Sequence, residues 1–375
     1  MNVVQVKTED KRTRYYLAND DGTPIVPVLR FLKFKDHTGY ARNTLRMYCM
    51  HLKQYFGYLQ ETKKDYLGIN IDDLADFVAW LQNPYRGHKI IPIQCKSGRQ
   101  PQTVNNIVDT VITFYNYLIR HEEYESKINV SLTKYIRSNG GNYRGYLYGI
   151  VETKKVKSHV LKLKEPHSKL RTIPKKDIAE LLGACTNLRD CFLLYLLFET
   201  GMRIGEVLSL WLEDFDLSEG TITLKDRGEV ENLAEIKTVS SPRRLDITNE
   251  LMDMFVEYIG THHTETVKTN HVFIKLRGNI SKAMDYTDID NLFRTLRKKT
   301  GIIVTPHMFR HTSLSILYSA GWEPELLRRR AGHKNIYTTI NTYVHPTDEE
   351  VAIAFHSVAT NLSSLLTSME GQHHE

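Results

Sequence analysis

Between Arg137 and Arg171, nine lysines and arginines face only two acidic residues, Glu152 and Glu165. Like charges at that density repel one another in a packed interior, so this stretch cannot lie at the centre of one core. Within it, Gly140-Gly141-Asn142-Tyr143-Arg144-Gly145-Tyr146 adds backbone freedom and aromatic faces. The 375-residue chain is therefore expected to fold as two units, each with its own core, and it is long enough for both. Residues 137–171 read as a basic linker able to track a phosphate backbone and stack on bases or sugars. The plainer alternative is a solvated connector that touches nothing.

Before the linker, β-formers at Val3 to Val6 and Tyr15 to Leu17 predict short strands, with Asn19-Asp20-Asp21-Gly22 as the turn. Residues 1–27 thus read as a small appended arm. Apolar residues then recur at helical spacing over residues 28–136. Asn43 or Thr44 is expected to cap a helix carrying Leu45, Tyr48, Leu52, Tyr55, Phe56 and Leu59. A second helix starts near Asp72, and a third near Thr103 carries a stripe from Val104 to Leu118. After the linker, residues 172–346 predict further helices. Two strand-like runs, Thr221 to Leu224 and Arg244 to Ile247, interrupt them. The fold class is mainly α with a small antiparallel β-sheet, in two domains.

Net charge is only +6, so distribution matters more than total. Cys49, Cys95, Cys185 and Cys191 form no CxxC pair and read as thiols of a reducing compartment. Charge at Lys7 comes too early for a secretion signal, and the apolar run from Cys191 to Phe198 is too short to span a bilayer. The expected location is the cytoplasm.

The chemistry lies in the last half of the chain. Arg203 stands in Thr200-Gly201-Met202-Arg203-Ile204-Gly205-Glu206, and Lys237 lies between the two strand-like runs. His307-Met308-Phe309-Arg310-His311, Gly332-His333 and Tyr343 follow. A tyrosine can attack a phosphodiester through its phenol oxygen and form a covalent phosphotyrosine. Two arginines can donate paired N–H bonds to the non-bridging oxygens, which a lysine's point charge cannot match. A lysine flanked by cations can protonate a departing alkoxide. Each residue also has a plainer reading: Tyr343 as core, Arg203 as a structural partner of Glu206, Lys237 as a solvated hairpin lysine beside its competitor Lys225. His307 and His311 have the spacing of a metal pair, but the glutamate of HExxH is missing and Arg310 intervenes.

Taken together and in this order, Arg203, Lys237, His307, Arg310, His333 and Tyr343 resemble the catalytic set of the tyrosine recombinase, or phage integrase, family. At a finer grain the chain resembles the integrase-like transposase A proteins of bacterial site-specific transposons. The resemblance implies a clamp made of a helical core-binding domain and a catalytic domain. It places Tyr343 on the 3′ phosphate, freeing a 5′ hydroxyl, with Lys237 as proton donor to the leaving group. His307 is expected to bond the phosphate or assist proton transfer from the tyrosine, and His333 to donate to a non-bridging oxygen. His311 is expected in the wall of the site. No metal, nucleotide or other cofactor is called for, because the phosphotyrosine conserves the energy for rejoining.

The partners implied are double-stranded DNA, further copies of the chain in a tetramer on DNA, and accessory recombination proteins. Arg42, Arg46 and Lys53 on the first predicted helix, with Arg144, Lys154 and Lys155 in the linker, are the expected DNA contacts. Two features depart from the common pattern: Ala331 where a leucine often precedes the Gly-His, and the dense Arg328-Arg329-Arg330, one of which could also reach phosphate. Residues 347–375 carry an apolar helical stripe from Val351 to Leu366, expected to dock on a neighbouring protomer or to pack on its own domain. Two rival readings are a type IB topoisomerase-like nicking and resealing enzyme and an inert regulator. The regulator would use Glu323 to Tyr343 as a helix-turn-helix.

Overall fold

The computed structural model describes residues 1–10, 12–82, 98–121, 161–165, 171–234, 236 and 240–343, and the backbone alone of 133–137, 155–159 and 341. The chain divides into two compact units, Met1–Ser168 and Lys169–Glu375. No described helix is long and apolar enough to cross a membrane.

The first unit opens with an antiparallel hairpin, β1 (Asn2–Lys7) and β2 (Thr13–Ala18), in the register Asn2↔Ala18 to Lys7↔Thr13. Two expectations fail here. The chain reverses at residues 8–12, and Asn19 to Gly22 turns the chain after β2 instead. Nor is the hairpin an appended arm: Tyr15 and Leu17 are buried in the helical core, so its inner face is part of the domain. Helix α1 (Val26–His37) follows, then α2 (Arg42–Thr62), α3 (Ile71–Gln82) and α4 (Pro101–Arg120). The expected cap at Asn43 or Thr44 moves to Ala41, which has extended backbone and no side chain to bond. Phe31 of α1 is wholly buried among Tyr48, Phe114 and Tyr117, with ring centroids 5.5–5.6 Å away. Burying a ring of that size contributes about 2–3 kcal/mol. Between α2 and α4, the hydroxyls of Tyr55 and Tyr115 meet at 2.5 Å, and Tyr115 also donates to the Tyr66 carbonyl.

The expected linker, residues 137–171, is partly built into this unit. Strand β4 (Lys155–His159) pairs antiparallel with β3 (Thr133–Arg137). Beyond it, Leu161 and Leu163 pack on the helical core. Buried Asn105 of α4 holds Leu163 by both backbone groups, at 3.0 and 2.8 Å, and donates to Glu165. Lys162 pairs with Asp109. Alternating apolar residues among the lysines, masked by the charge count, account for the difference.

The second unit consists of α5 (Lys175–Gly183), α6 (Leu188–Thr200), the short α7 (Ile204–Leu208), α8 (Asn249–His262), α9 (Tyr286–Thr300), α10 (Pro306–Ser319), α11 (Pro324–Ala331) and α12 (Ile336–Tyr343). Its sheet has three strands, β5 (Phe215–Asp216), β6 (Thr221–Leu224) and β7 (Arg243–Asp246), all antiparallel. Strand β7 begins one residue earlier than expected, at Arg243. Helix α6 is apolar nearly all round because it is the centre of this core: Phe192, Leu193, Leu194, Leu196 and Leu197 are fully buried.

Candidate active site

Two left-handed glycines make the turns that assemble the site. Gly201 (φ +63°) ends α6, and Gly332 (φ +62°) ends α11. The first turn presents Arg203 at the start of α7, and the second presents His333. From α10, Arg310 reaches between them.

Arg310 is buried, at 3% exposure, and its guanidinium donates to the Gly201 carbonyl at 2.8 Å, the Ala331 carbonyl and His333 Nε2 at 2.9 Å. Burial, followed by the nearby Arg203, brings its pKa down to about 10. Arg203 sits on Glu206, whose carboxylate accepts both its backbone N–H and its Nη1 at 2.9 Å. Both guanidine nitrogens of Arg203 also face the Gly332 carbonyl at 3.4 Å. The structural reading of Arg203, as a partner of Glu206, therefore has a geometric basis.

Glu206 is 1% exposed and serves a second arginine that sequence reasoning passed over. Arg243 forks onto both Glu206 oxygens, at 3.2 and 3.0 Å, and donates Nε to the Arg330 carbonyl at 2.7 Å. Burial alone would raise the Glu206 carboxyl. Arg243 and then Arg203 outweigh it and hold its pKa at about 2. Three guanidiniums around one carboxylate leave the cluster an excess of positive charge suited to a phosphodiester. The only sequence signal for Arg243 was its place beside Arg244 after Pro242, and nothing there separated one arginine from the other.

Tyr343, on the last turn of α12, is 6% exposed. Its hydroxyl lies 2.9 Å from His311 Nδ1, and the positive charge of Arg310 lies near the same oxygen. Its ring lies near-parallel to that of His333, centroids 6.4 Å apart. Burial raises the phenol pKa, while Arg310 and Arg203 pull the other way. His311 therefore holds the place on the tyrosine that was open to His307. His307 is exposed and stacks on His311, with centroids 5.9 Å apart.

His333 differs from its expected role as a donor to phosphate. A guanidinium only donates, so His333 Nε2 is an acceptor, and the proton sits on Nδ1, which donates to Thr339 Oγ1 at 2.9 Å. Burial and the arginines around it push its pKa down to about 3, so the ring is neutral.

The remaining expectations divide. Lys237 lies outside the described residues, as do Arg144, Lys154 and the tail of residues 347–375. Its competitor Lys225 faces the buried Asp214 carboxylate at 3.5 Å. Lys155 lies on β4. Arg46 is exposed and Lys53 half-buried on α2, but Arg42 is only 3% exposed, drawn into the first turn of that helix, and is no surface contact. Of the arginine triplet, Arg328 pairs with Glu325 and holds the His333 carbonyl, and Arg330 donates to the Glu199 carbonyl over Trp322. Only Arg329 stands in solvent, beside Glu325. Among the described residues no group of histidine, cysteine and carboxylate side chains is arranged to hold a metal. The regulator's second helix would be α12, but its Tyr343 is turned inward to Arg310 and His311, unlike a helix that reads bases.

Residues 171–350 match the model of the phage integrase family, and residues 30–122 match that of the phage integrase N-terminal SAM-like domain. Transposase A from transposon Tn554 of Staphylococcus aureus is 35% identical over 358 residues, spanning 95% of this chain and 97% of that protein. The chain belongs to the phage integrase family of tyrosine recombinases. Tyrosine recombinase XerD of Staphylococcus epidermidis is 22% identical over 332 residues, 88% of this chain and 96% of that one. Among solved structures, the Tn1549 transposon integrase in complex with a circular intermediate DNA aligns with a TM-score of 0.61 at 16% identity. That match covers 88% of this chain and 99% of the other. XerH bound to its difH substrate aligns at 0.57 and 16%, covering 84% and 79%. The recombinase is thus an enzyme of DNA strand breakage and rejoining, and its mainly helical fold with small antiparallel sheets is the one these structures share.

The two glycine turns place one strong constraint on the recombinase. A Cβ on Gly332 would lie 2.7 Å from Arg243 Nη1 and 3.2 Å from the Ser240 carbonyl, in a left-handed conformation. Arg243 cannot yield without leaving Glu206. Gly332→Ala is expected to cost about 2 kcal/mol, read as a lower urea midpoint, with cleavage falling further than stability.

Proposed function

We propose that the recombinase cuts and rejoins DNA at a specific site through a 3′-phosphotyrosine on Tyr343, moving or integrating a mobile element. The observation that carries this reading is the convergence of Tyr343, Arg310, Arg203 and His333 on one buried, positively charged cluster, built by segments far apart in the chain. Arg203 and Arg310 hold the non-bridging oxygens as charge builds on phosphorus. His333 receives Arg310 and sets its direction. Lys237 supplies the proton to the departing 5′ oxygen, and His307, exposed at the start of α10, meets the DNA backbone. The sequence shared with transposase A of Tn554 favours this reading over a topoisomerase that relaxes any duplex.

Exchange between two duplexes by this chemistry calls for four active sites, so the active form is a tetramer on double-stranded DNA, aided by accessory recombination proteins. The tail of residues 347–375 links the protomers. Arg46, Lys53, Arg144, Lys154 and Lys155 contact phosphates, which makes binding salt-sensitive. The site of action is the bacterial cytoplasm.

The test is a nicked suicide duplex carrying the transposon end. The cut fragment should remain covalently attached to the protein, with the adduct mapped to the peptide containing Tyr343 and joined to a 3′ phosphate. A free 3′ phosphate or hydroxyl with no protein attached would refute the scheme.

A further inference from the structure

We propose that His311, rather than His307, is the general base that takes the proton from Tyr343. This rests on the reading of Tyr343 as nucleophile. The two groups are in direct contact, phenol oxygen to Nδ1, at 2.9 Å. The Arg310 guanidinium nearby favours the phenolate that this transfer would leave. The phenol donates its O–H to Nδ1, which is then the unprotonated nitrogen of a neutral ring. Burial favours that state, as do His307 and Arg310, which face His311 from its own helix. From α12, among the described residues, Tyr343 itself lies against it. His307, by contrast, contacts His311 face to face at 5.9 Å and is exposed to solvent.

The step balances without any further reagent. The Oη–H bond breaks as its proton passes to His311 Nδ1, the Oη–P bond forms, and the P–O5′ bond breaks with the leaving oxygen protonated by the acid assigned to Lys237. On rejoining, a 5′ hydroxyl attacks phosphorus as its proton passes back to the group assigned at Lys237, the Oη–P bond breaks, and His311 returns its proton to Oη. His307 on this account orients His311 and the backbone of the DNA, and carries no proton for the tyrosine.

The experiment uses the full chain in single-turnover cleavage of the nicked suicide duplex. His311→Asn keeps an acceptor oxygen near the Nδ1 position but cannot be protonated. DNA binding should be unchanged, and cleavage slowed by about 10² to 10⁴. Its rate should rise with pH where the unchanged protein's has levelled off. His311→Ala should be partly restored by added imidazole. A duplex with sulfur at the 5′ bridging position, a leaving group that needs no proton, should restore Lys237→Ala but not His311→Asn.

Cleavage by His311→Asn within about threefold of the unchanged protein and with the same pH profile would overturn the assignment. So would full rescue by the bridging sulfur, which would put His311 on the leaving-group side. Should the variants fold poorly, the unchanged protein decides: its cleavage must fall as acid protonates His311, below the ordinary histidine range, and a flat acid limb refutes the base. An adduct persisting in Tyr343→Phe would instead defeat the nucleophile assignment, a distinct result.

Discussion

Tyr343→Phe is expected to bind its DNA as well as the unchanged recombinase and to form no covalent adduct, with cleavage down by at least about 10⁴, some 5.5 kcal/mol of barrier. The ring can stay where it is, buried and stacked near His333, so only the hydroxyl and its bond to His311 disappear. That loss should change stability by about 1 kcal/mol, since His311 keeps access to other partners at the edge of the site. Activity and stability thus separate by several kcal/mol, which a merely structural tyrosine would not do. Among the described residues the most exposed competitor is Tyr337 on the same helix, at 66% exposure. Tyr337→Phe should keep the adduct, and its loss there would transfer the role of nucleophile.

Glu206→Gln is expected to cost about 3–5 kcal/mol of stability, the penalty for removing one partner of a buried ionic cluster. Arg203 and Arg243 would then face an amide that offers one acceptor and two unwelcome donors, and the turn before α7 would lose its anchor. The acid limb of stability gives an independent check. The folded Glu206 carboxyl, at about 2, lies below its ordinary 4.5. Its contribution is fully present above pH 4.5 and is lost as pH falls toward 2, about 3 kcal/mol in all. His333, held at about 3 against an ordinary 6.5, acts in the same direction. It stabilises the folded state above pH 6.5 and withdraws that support as pH falls toward 3. Urea midpoints measured from pH 7 to pH 3 should therefore decline from about pH 6.5 in both proteins. The variant should lack the additional decline below pH 4.5. Equal midpoints at pH 7 would show that the carboxylate is dispensable.

Where the structure departs from sequence expectation, the reasons are physical. The stripe from Val104 to Leu118 announced α4 because a period of 3.6 survives any rearrangement of neighbours. Helix α1 was missed because Pro27 near its start and exposed Val26, Leu29 and Phe34 blur its apolar face. Tyr343, Arg310 and Arg203 were legible by order and local context, even though a tyrosine alone says nothing. Glu206, Arg243 and His311 were not ranked correctly, since their importance lies in distances across segments: Arg243 to Glu206 spans 37 residues and His311 to Tyr343 spans 32. Charge misled twice. Arg42 was assigned to the surface and is buried, and the lysine-rich stretch after Arg137 concealed leucines that pack on α4.

Attack in line on phosphorus needs the phenol oxygen within about 3–3.5 Å of it. A side chain 6% exposed and held by His311 cannot offer that approach to a duplex arriving from solvent without movement in residues 336–343. With Tyr343 as the proposed nucleophile, a recombinase scanning chromosomal DNA carries its cutting group sheathed. Passing contact with the wrong sequence leaves the strand whole, and the safeguard against stray breaks lies in where the tyrosine is kept as much as in which bases are read.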